Sequence, residues 1–177
     1  VSKTYNYRGT ATTTTGNLFY THTEDLGAAA GDRYVLAAVL CASAATPASV
    51  VCNSAPLLQL VNGTNAYNVS YYGGLVAAGN GLLGTVITFN VGASFVRRTS
   101  HIYTLAGLSS TTPKQTTTWI GDVTSGTNTI AVDPGDLLFA CSGANDPSAT
   151  FATSSEVAPT SEHFASAGNP GWLTAAD

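Results

Sequence analysis

Arg33-Tyr34-Val35-Leu36-Ala37-Ala38-Val39-Leu40-Cys41-Ala42 is the stretch from which the fold is read. At the two-residue period of a strand, Tyr34, Leu36 and Leu40 fall on one face, and Val35, Val39 and Cys41 on the other. Both faces are apolar, so this strand must be covered on two sides and is expected at the centre of a sheet.

Outward from it, the next Asp, Glu, Lys or Arg after Arg33 is Arg97. The silent segment, Tyr34 to Val96, is more than a third of the chain. Charged residues make up 9% of the whole, against roughly 25% in an ordinary soluble domain. Its water-facing positions must be filled by Thr, Ser, Asn, Gly and Ala. Such a surface offers little electrostatic resistance to association. The expectation is a β-rich protein that works within an assembly.

Helix formers such as Glu, Lys, Gln and Met are scarce, while Thr, Val, Tyr, Gly and Asn abound. Strands are expected at Lys3 to Thr10, Leu18 to Tyr20, Arg33 to Ala42, Asn68 to Ala77, Thr85 to Asn90 and Arg97 to Leu105. A hairpin joins Ser49 to Asn53 with Leu57 to Val61 across Asn53-Ser54-Ala55-Pro56. Further strands are expected at Thr116 to Ile120, Thr127 to Val132 and Leu137 to Ser142, with weaker ones at Thr150 to Ser154 and Glu162 to Ala165. In Asp133-Pro134-Gly135-Asp136, Pro presets φ and Gly takes the position that needs φ > 0. About ten short strands at even spacing indicate an antiparallel β-sandwich or barrel. No break in composition divides the 177 residues, so one all-β domain is expected, with a Thr-rich N-terminal arm over about residues 1–16.

The net charge of −4 and six basic residues argue against a nucleic-acid partner. The apolar runs are of strand length, which argues against a membrane-spanning helix, and the opening residues have no apolar signal-peptide core. Cys41, Cys52 and Cys141 read as small buried hydrophobes; a Cys41–Cys52 bridge stays open. No zinc spacing, G-x-S-x-G elbow, H-E-x-x-H pair, P-loop or dinucleotide fingerprint occurs, so no enzyme, metal or cofactor is expected. His22, His101 and His163 are far apart, and no serine stands out as the partner of a triad. Glu24-Asp25 reads as a solvated loop with Asx-type capping, and Asp133 and Asp136 as structural. Tyr5, Tyr7, Tyr67, Tyr71 and Tyr72 are the candidate interface or binding residues, since exposed amphipathic aromatics stack on sugars and on partner surfaces. Trp119 and Trp172 read as core or subunit interface.

Several stretches carry a resemblance. Tyr5 to Thr15 (YNYRGTATTTT) leads into LFYTHTEDLGAAAGDRYVLAAVL, followed by HIYTLAGLSSTTP (His101 to Pro113), IAVDPGDLLFACS (Ile130 to Ser142) and an ATFATSSEVAPTSEHFASAG tail. This order resembles small virion proteins of tailed bacteriophages, those of marine phages and prophages especially. Many of these carry a Gly-Gly turn where this chain has Asn53-Ser54-Ala55. The resemblance implies a jelly-roll-like β-sandwich on the outer surface of a phage particle. Its role would be a capsid decoration (cement) protein, with a spike or fibre component or a lectin-like host-recognition module as the alternative. The implied partners are copies of itself, with a homotrimer as the natural guess, and the major capsid protein or another virion protein. A glycan ligand is left open. The segment Tyr5 to Thr15 is then the expected donor for strand addition to a neighbour.

Overall fold

The computed structural model describes residues 3–13, 17–41, 49–64, 68–77, 85–95, 98–118, 129–131, 133–141, 161–164 and 171–176. Among these the chain is all-β, with no helix. They form eleven strands: β1 (Thr4–Thr13), β2 (Asn17–Glu24), β3 (Tyr34–Cys41), β4 (Ser49–Cys52), β5 (Ala55–Thr64), β6 (Asn68–Leu75), β7 (Thr85–Phe95), β8 (Arg98–Ala106), β9 (Leu137–Cys141), β10 (Ser161–Phe164) and β11 (Gly171–Ala176). Eight form an antiparallel sheet in the order β1-β8-β3-β6-β5-β4-β7-β2, and three form a second, β10-β11-β9.

The order has a simple rule. β4 pairs with β5, β3 with β6, β2 with β7 and β1 with β8, so four antiparallel pairs nest inside one another. The ribbon then curls: β3 also pairs with β8, and β4 with β7. β5 makes the corner, pairing with β4 through Leu57 and with β6 from Leu58 onward. Its register slips between Gln59 and Val61, the kind of bulge that bends a strand. The curl brings the terminal strands of the sheet, β1 and β2, into contact, although their described residues share no ladder.

β3 is buried at all eight positions. Val35, Ala37, Val39 and Cys41 join an inner cluster with Tyr20, Leu26, Val50, Cys52, Leu57, Tyr72, Val76 and Ile102. Tyr34, Leu36, Ala38 and Leu40 join an outer cluster with Tyr71, Tyr103 and Leu105, against which Leu137 and Phe139 of β9 pack. The two-sided apolar pattern thus reports a strand with a core on each face. Cys41 and Cys52 are both buried free thiols, so no bridge joins them. Burial pushes the Cys52 thiol up to about 11, with the Arg33 charge pulling the other way.

The β4–β5 connection is tighter than expected. Asn53 and Ser54 both have positive φ (45° and 71°), and Cys52 already faces Ala55. This is a two-residue turn of the primed type that suits strand twist. Asn tolerates such a conformation; Ser54 does so at a cost. Pro56 is therefore inside β5, opposite Val51, where β6 is not yet a ladder partner and a missing N–H is harmless.

Three expectations are corrected. The segment Tyr5 to Thr15, expected as a strand donor to a neighbour, pairs through Thr13 with β8 of its own chain, and the strand expected at Lys3 to Thr10 is present there as β1, its Tyr–polar alternation fitting that ladder. Within Thr116 to Ile120 and Thr127 to Val132, residues 116–118 and 129–131 form no strand. Nearby, the Ala131 N–H bonds the Gln115 side-chain oxygen at 3.0 Å rather than a strand neighbour. The Asp133–Asp136 turn is as expected, with Gly135 at φ 82° and the Asp136 N–H donating to Asp133 O at 2.9 Å. Thr150 to Ser154 lies outside the described residues.

Candidate functional site: a buried hydroxyl–imidazole network at the seam

In β2, Tyr20, His22 and Glu24 recur at every second position, so one face of the strand presents a phenol, an imidazole and a carboxyl. Tyr20 and His22 are buried, His22 at 2% exposure. Ser100, fully buried on β8, meets both: its Oγ lies 3.0 Å from Tyr20 Oη and 2.7 Å from His22 Nδ1. The other ring nitrogen, His22 Nε2, lies 2.8 Å from Glu24 Oε1. The carboxyl of Glu24 rests against Gly9 of β1, where any Cβ would collide with it. Side chains therefore tie β2 to β8, and Glu24 packs against β1 at the seam where the described residues make no ladder.

The protons can be placed by elimination. Burial lowers the His22 pKa, against the upward pull of its bond and charge interaction with Glu24, so the ring is neutral at pH 7. A carboxylate offers only acceptors, so Nε2 carries the proton and Nδ1 accepts. Ser100 then donates to His22 and accepts from Tyr20. The result is one directed chain, Tyr20 to Ser100 to His22 to Glu24, in which each link has one donor and one acceptor. Each such buried bond is worth about 1 kcal/mol net, and more is lost if one partner is deleted.

Ser100, His22 and Glu24 have the spacing of a hydrolase triad. Their setting is different: the hydroxyl is wholly enclosed and already meets the Tyr20 phenol. The arrangement can hold and pass protons, and it can clamp two strands. The sequence offers one signal for it, the Tyr20-x-His22-x-Glu24 alternation; nothing in the sequence singles out Ser100.

The tyrosines foreseen as a surface divide differently. Tyr71 and Tyr72 are core residues at 9% and 3% exposure, on opposite faces of β6, so the exposure expected of them is absent. They are buried because β6 lies between β3 and β5 with an apolar cluster on each side. Burial raises the Tyr72 phenol to about 12. Tyr5 and Tyr7 are half-buried and belong to an aromatic row: Tyr5 meets Phe139 edge-on at 6.1 Å, Phe139 meets Tyr103 at 5.3 Å, and Tyr103 meets Tyr7 at 5.4 Å. His101 closes the row, fully buried, with Nδ1 3.4 Å from Tyr7 Oη and Nε2 3.5 Å from Thr10 Oγ1. Tyr67 and Trp119 lie outside the described residues; Trp172 is on β11, in register with His163 and Cys141.

Glu24 and Asp25 also part ways. Asp25 makes the Asx cap, accepting from the Gly27 N–H at 2.8 Å, whereas Glu24 serves His22. Asp133 and Asp136 bind Lys114, and Asp136 also meets Lys3 at 3.4 Å, which pins the start of β1 to that turn. No group of three or more His, Cys, Asp or Glu suited to a metal occurs among the described residues. Comparison with protein families, with curated proteins and with solved structures finds no match.

Proposed function

We propose that this chain is a structural protein of a tailed-phage particle, and within that class a capsid decoration protein that bridges neighbouring capsomers. The strand order carries the reading. Its halves, β1-β8-β3-β6 and β2-β7-β4-β5, are what a ribbon of four nested pairs gives when rolled into two four-stranded layers. That is a jelly roll, an architecture of viral capsid and lectin domains. The inner cluster supports the two-layer reading, since it draws on β3, β6 and β8 from one half and on β2, β4 and β5 from the other.

Surface chemistry favours a role in assembly. Strands β3 to β7 all lie within the charge-free segment. The exposed large hydrophobics among the described residues are Leu58, at 69%, and Leu75, at 51%. Leu58 faces Gly73 across the β5–β6 ladder, which makes Leu75 its diagonal neighbour, with the Tyr34 ring lying over Gly73 beside them. An uncharged apolar ridge of this kind suits contact with copies of the chain or with a capsid shell. Many modest contacts of that sort clamp a shell through avidity. Burial of Tyr71 and Tyr72 removes two of the rings on which a glycan-binding reading relies, so decoration is preferred over a lectin-like module.

The test is quantitative protein mass measurement of purified particles. Hundreds of copies per particle are expected. A few or a dozen would move the protein to a spike or tail, and its absence from particles would end the structural reading.

A further inference from the structure

We propose that His22 is an acid-sensitive latch that ties β2 to β8 beside the β1–β2 seam. The described residues of β2 and β8 share no backbone ladder, so the Tyr20–Ser100–His22–Glu24 chain is a principal polar tie between them. A protonated ring would donate at both nitrogens. The bond to Glu24 would survive, but Nδ1 could no longer accept from Ser100. Ser100 would have to accept from the ring instead, and a hydroxyl proton, its own or that of Tyr20, would have to be redirected within the core. Acid therefore disturbs each link on the Ser100 side of the ring, and that is the side that reaches β8.

Among the described residues, few titratable groups face His22. From its own strand it faces the Glu24 carboxyl and the Tyr20 phenol. From β8 it meets Ser100, which does not titrate, while His101 lies on the opposite face toward Tyr7 and Thr10. From β7 its register partner is Ile87, and that strand contains no acid, base, Cys or Tyr. From β1, Gly9 backs Glu24, and the Arg8 guanidinium is held by Thr104 at 2.8 Å. The Tyr7 phenol senses Glu24, but burial first of all moves its titration further up, away from the acid range. Among the other inner-face groups, the Cys52 thiol and Tyr72 phenol titrate at about 11 and about 12.

The sign follows from the neutral form being the one that fits. Folded His22 resists protonation below the 6.5 of a free histidine. Above 6.5 the latch contributes fully. As pH falls from 6.5 through the lowered value in the fold, the unfolded chain gains a proton first and stability is lost.

The experiment compares the intact chain with H22Q, whose amide can donate and accept but does not titrate in this range. Denaturant midpoints are measured from about pH 8 to about pH 5, the range in which a histidine changes charge, with amide hydrogen exchange in β2 and β8. Expected are a midpoint that falls below pH 6.5 in the wild type, a markedly flatter profile in H22Q, and faster exchange in β2 at acid pH in the wild type only. Parallel profiles would overturn the proposal. If H22Q does not fold, imidazole NMR of the wild type decides. A proton on Nε2 and a titration midpoint below 6.5 support the latch; a midpoint at or above 6.5 overturns it.

Discussion

Arg33 offers a sharp test of the packing argument. It is 4% exposed, at the entrance to β3, and its guanidinium donates to three backbone carbonyls: Nε to Val76 O at 2.9 Å, and Nη1 to Gly27 O at 2.8 Å and Ala28 O at 3.1 Å. Its own carbonyl accepts from the Val76 N–H at 2.9 Å. One side chain thus gathers the loop after β2, the exit of β6 and the start of β3. Hydrogen bonds from a charged donor contribute about 1.5–3 kcal/mol each, and the cost of taking the cation out of water offsets several kcal/mol of that total. Replacing Arg33 by Met removes both the charge and the donors. The expected loss is about 3 kcal/mol, which for a chain of this size lowers Tm by roughly 6–12 °C. Arg33→Lys is the more telling variant. It keeps the charge, but one ammonium is a compact point donor that cannot serve carbonyls on both sides of the fork. It should lose about as much as Arg33→Met. Urea unfolding at constant m measures both. An Arg33→Lys protein within about 0.5 kcal/mol of wild type would show that charge, not the fork, matters, and would refute the reasoning.

Four further outcomes are expected. Ser54→Gly relieves a left-handed non-glycine residue in the β4–β5 turn and should stabilise by about 0.5–1 kcal/mol, after the entropy cost of glycine is counted; an unchanged urea midpoint would contradict the strain assigned to Ser54. A Cβ at Gly73 would strike the Tyr34 ring that lies over it, so Gly73→Ala should cost about 1–3 kcal/mol in the same assay. Gly9→Ala should push Glu24 away from His22, visible as a shifted His22 ring signal in NMR; an unmoved signal would detach β1 from the network. Leu58→Lys with Leu75→Lys places charge on the exposed ridge and should lower the sedimenting mass of any oligomer while the β-type circular dichroism stays; unchanged mass would remove the ridge from assembly.

Strand identity is legible where burial imposes a strict period. β3 can be read because Tyr34 to Cys41 is apolar on both faces, and a strand of that kind is stable only when covered twice. The Asp133–Asp136 turn is legible because Pro and Gly each fix a backbone angle. β1 is legible as a strand over Lys3 to Thr10, but Thr and Gly specify an extended conformation and not its partner, which lies about a hundred residues away in β8. Tyr71 and Tyr72 read as surface because a tyrosine carries both a polar and an apolar end, and only the neighbouring strands decide which end matters. β11 carries no signal because Trp172 and Leu173 alone make no period. The seam network is half legible. His22 and Glu24 share a face by simple alternation, whereas Ser100 joins them only because β8 crosses to meet β2.

The nested pairing has a consequence for how the chain comes together in time. Its innermost pair, β4 with β5, closes over two residues, a local event on the microsecond scale for a hairpin. Each later pair needs a longer loop closed, and the outermost joins Thr4 to Ala106. A route consistent with loop entropy zips outward from Asn53-Ser54. At roughly 5–20 residues per second of synthesis, β1 then waits on the order of 5–20 s for β8 to be made. Throughout that interval β3, apolar on both faces, has at most one of its two ladder neighbours. The short turn at Asn53-Ser54 therefore sets the register of the first hairpin from which a slow, long-range sheet must grow.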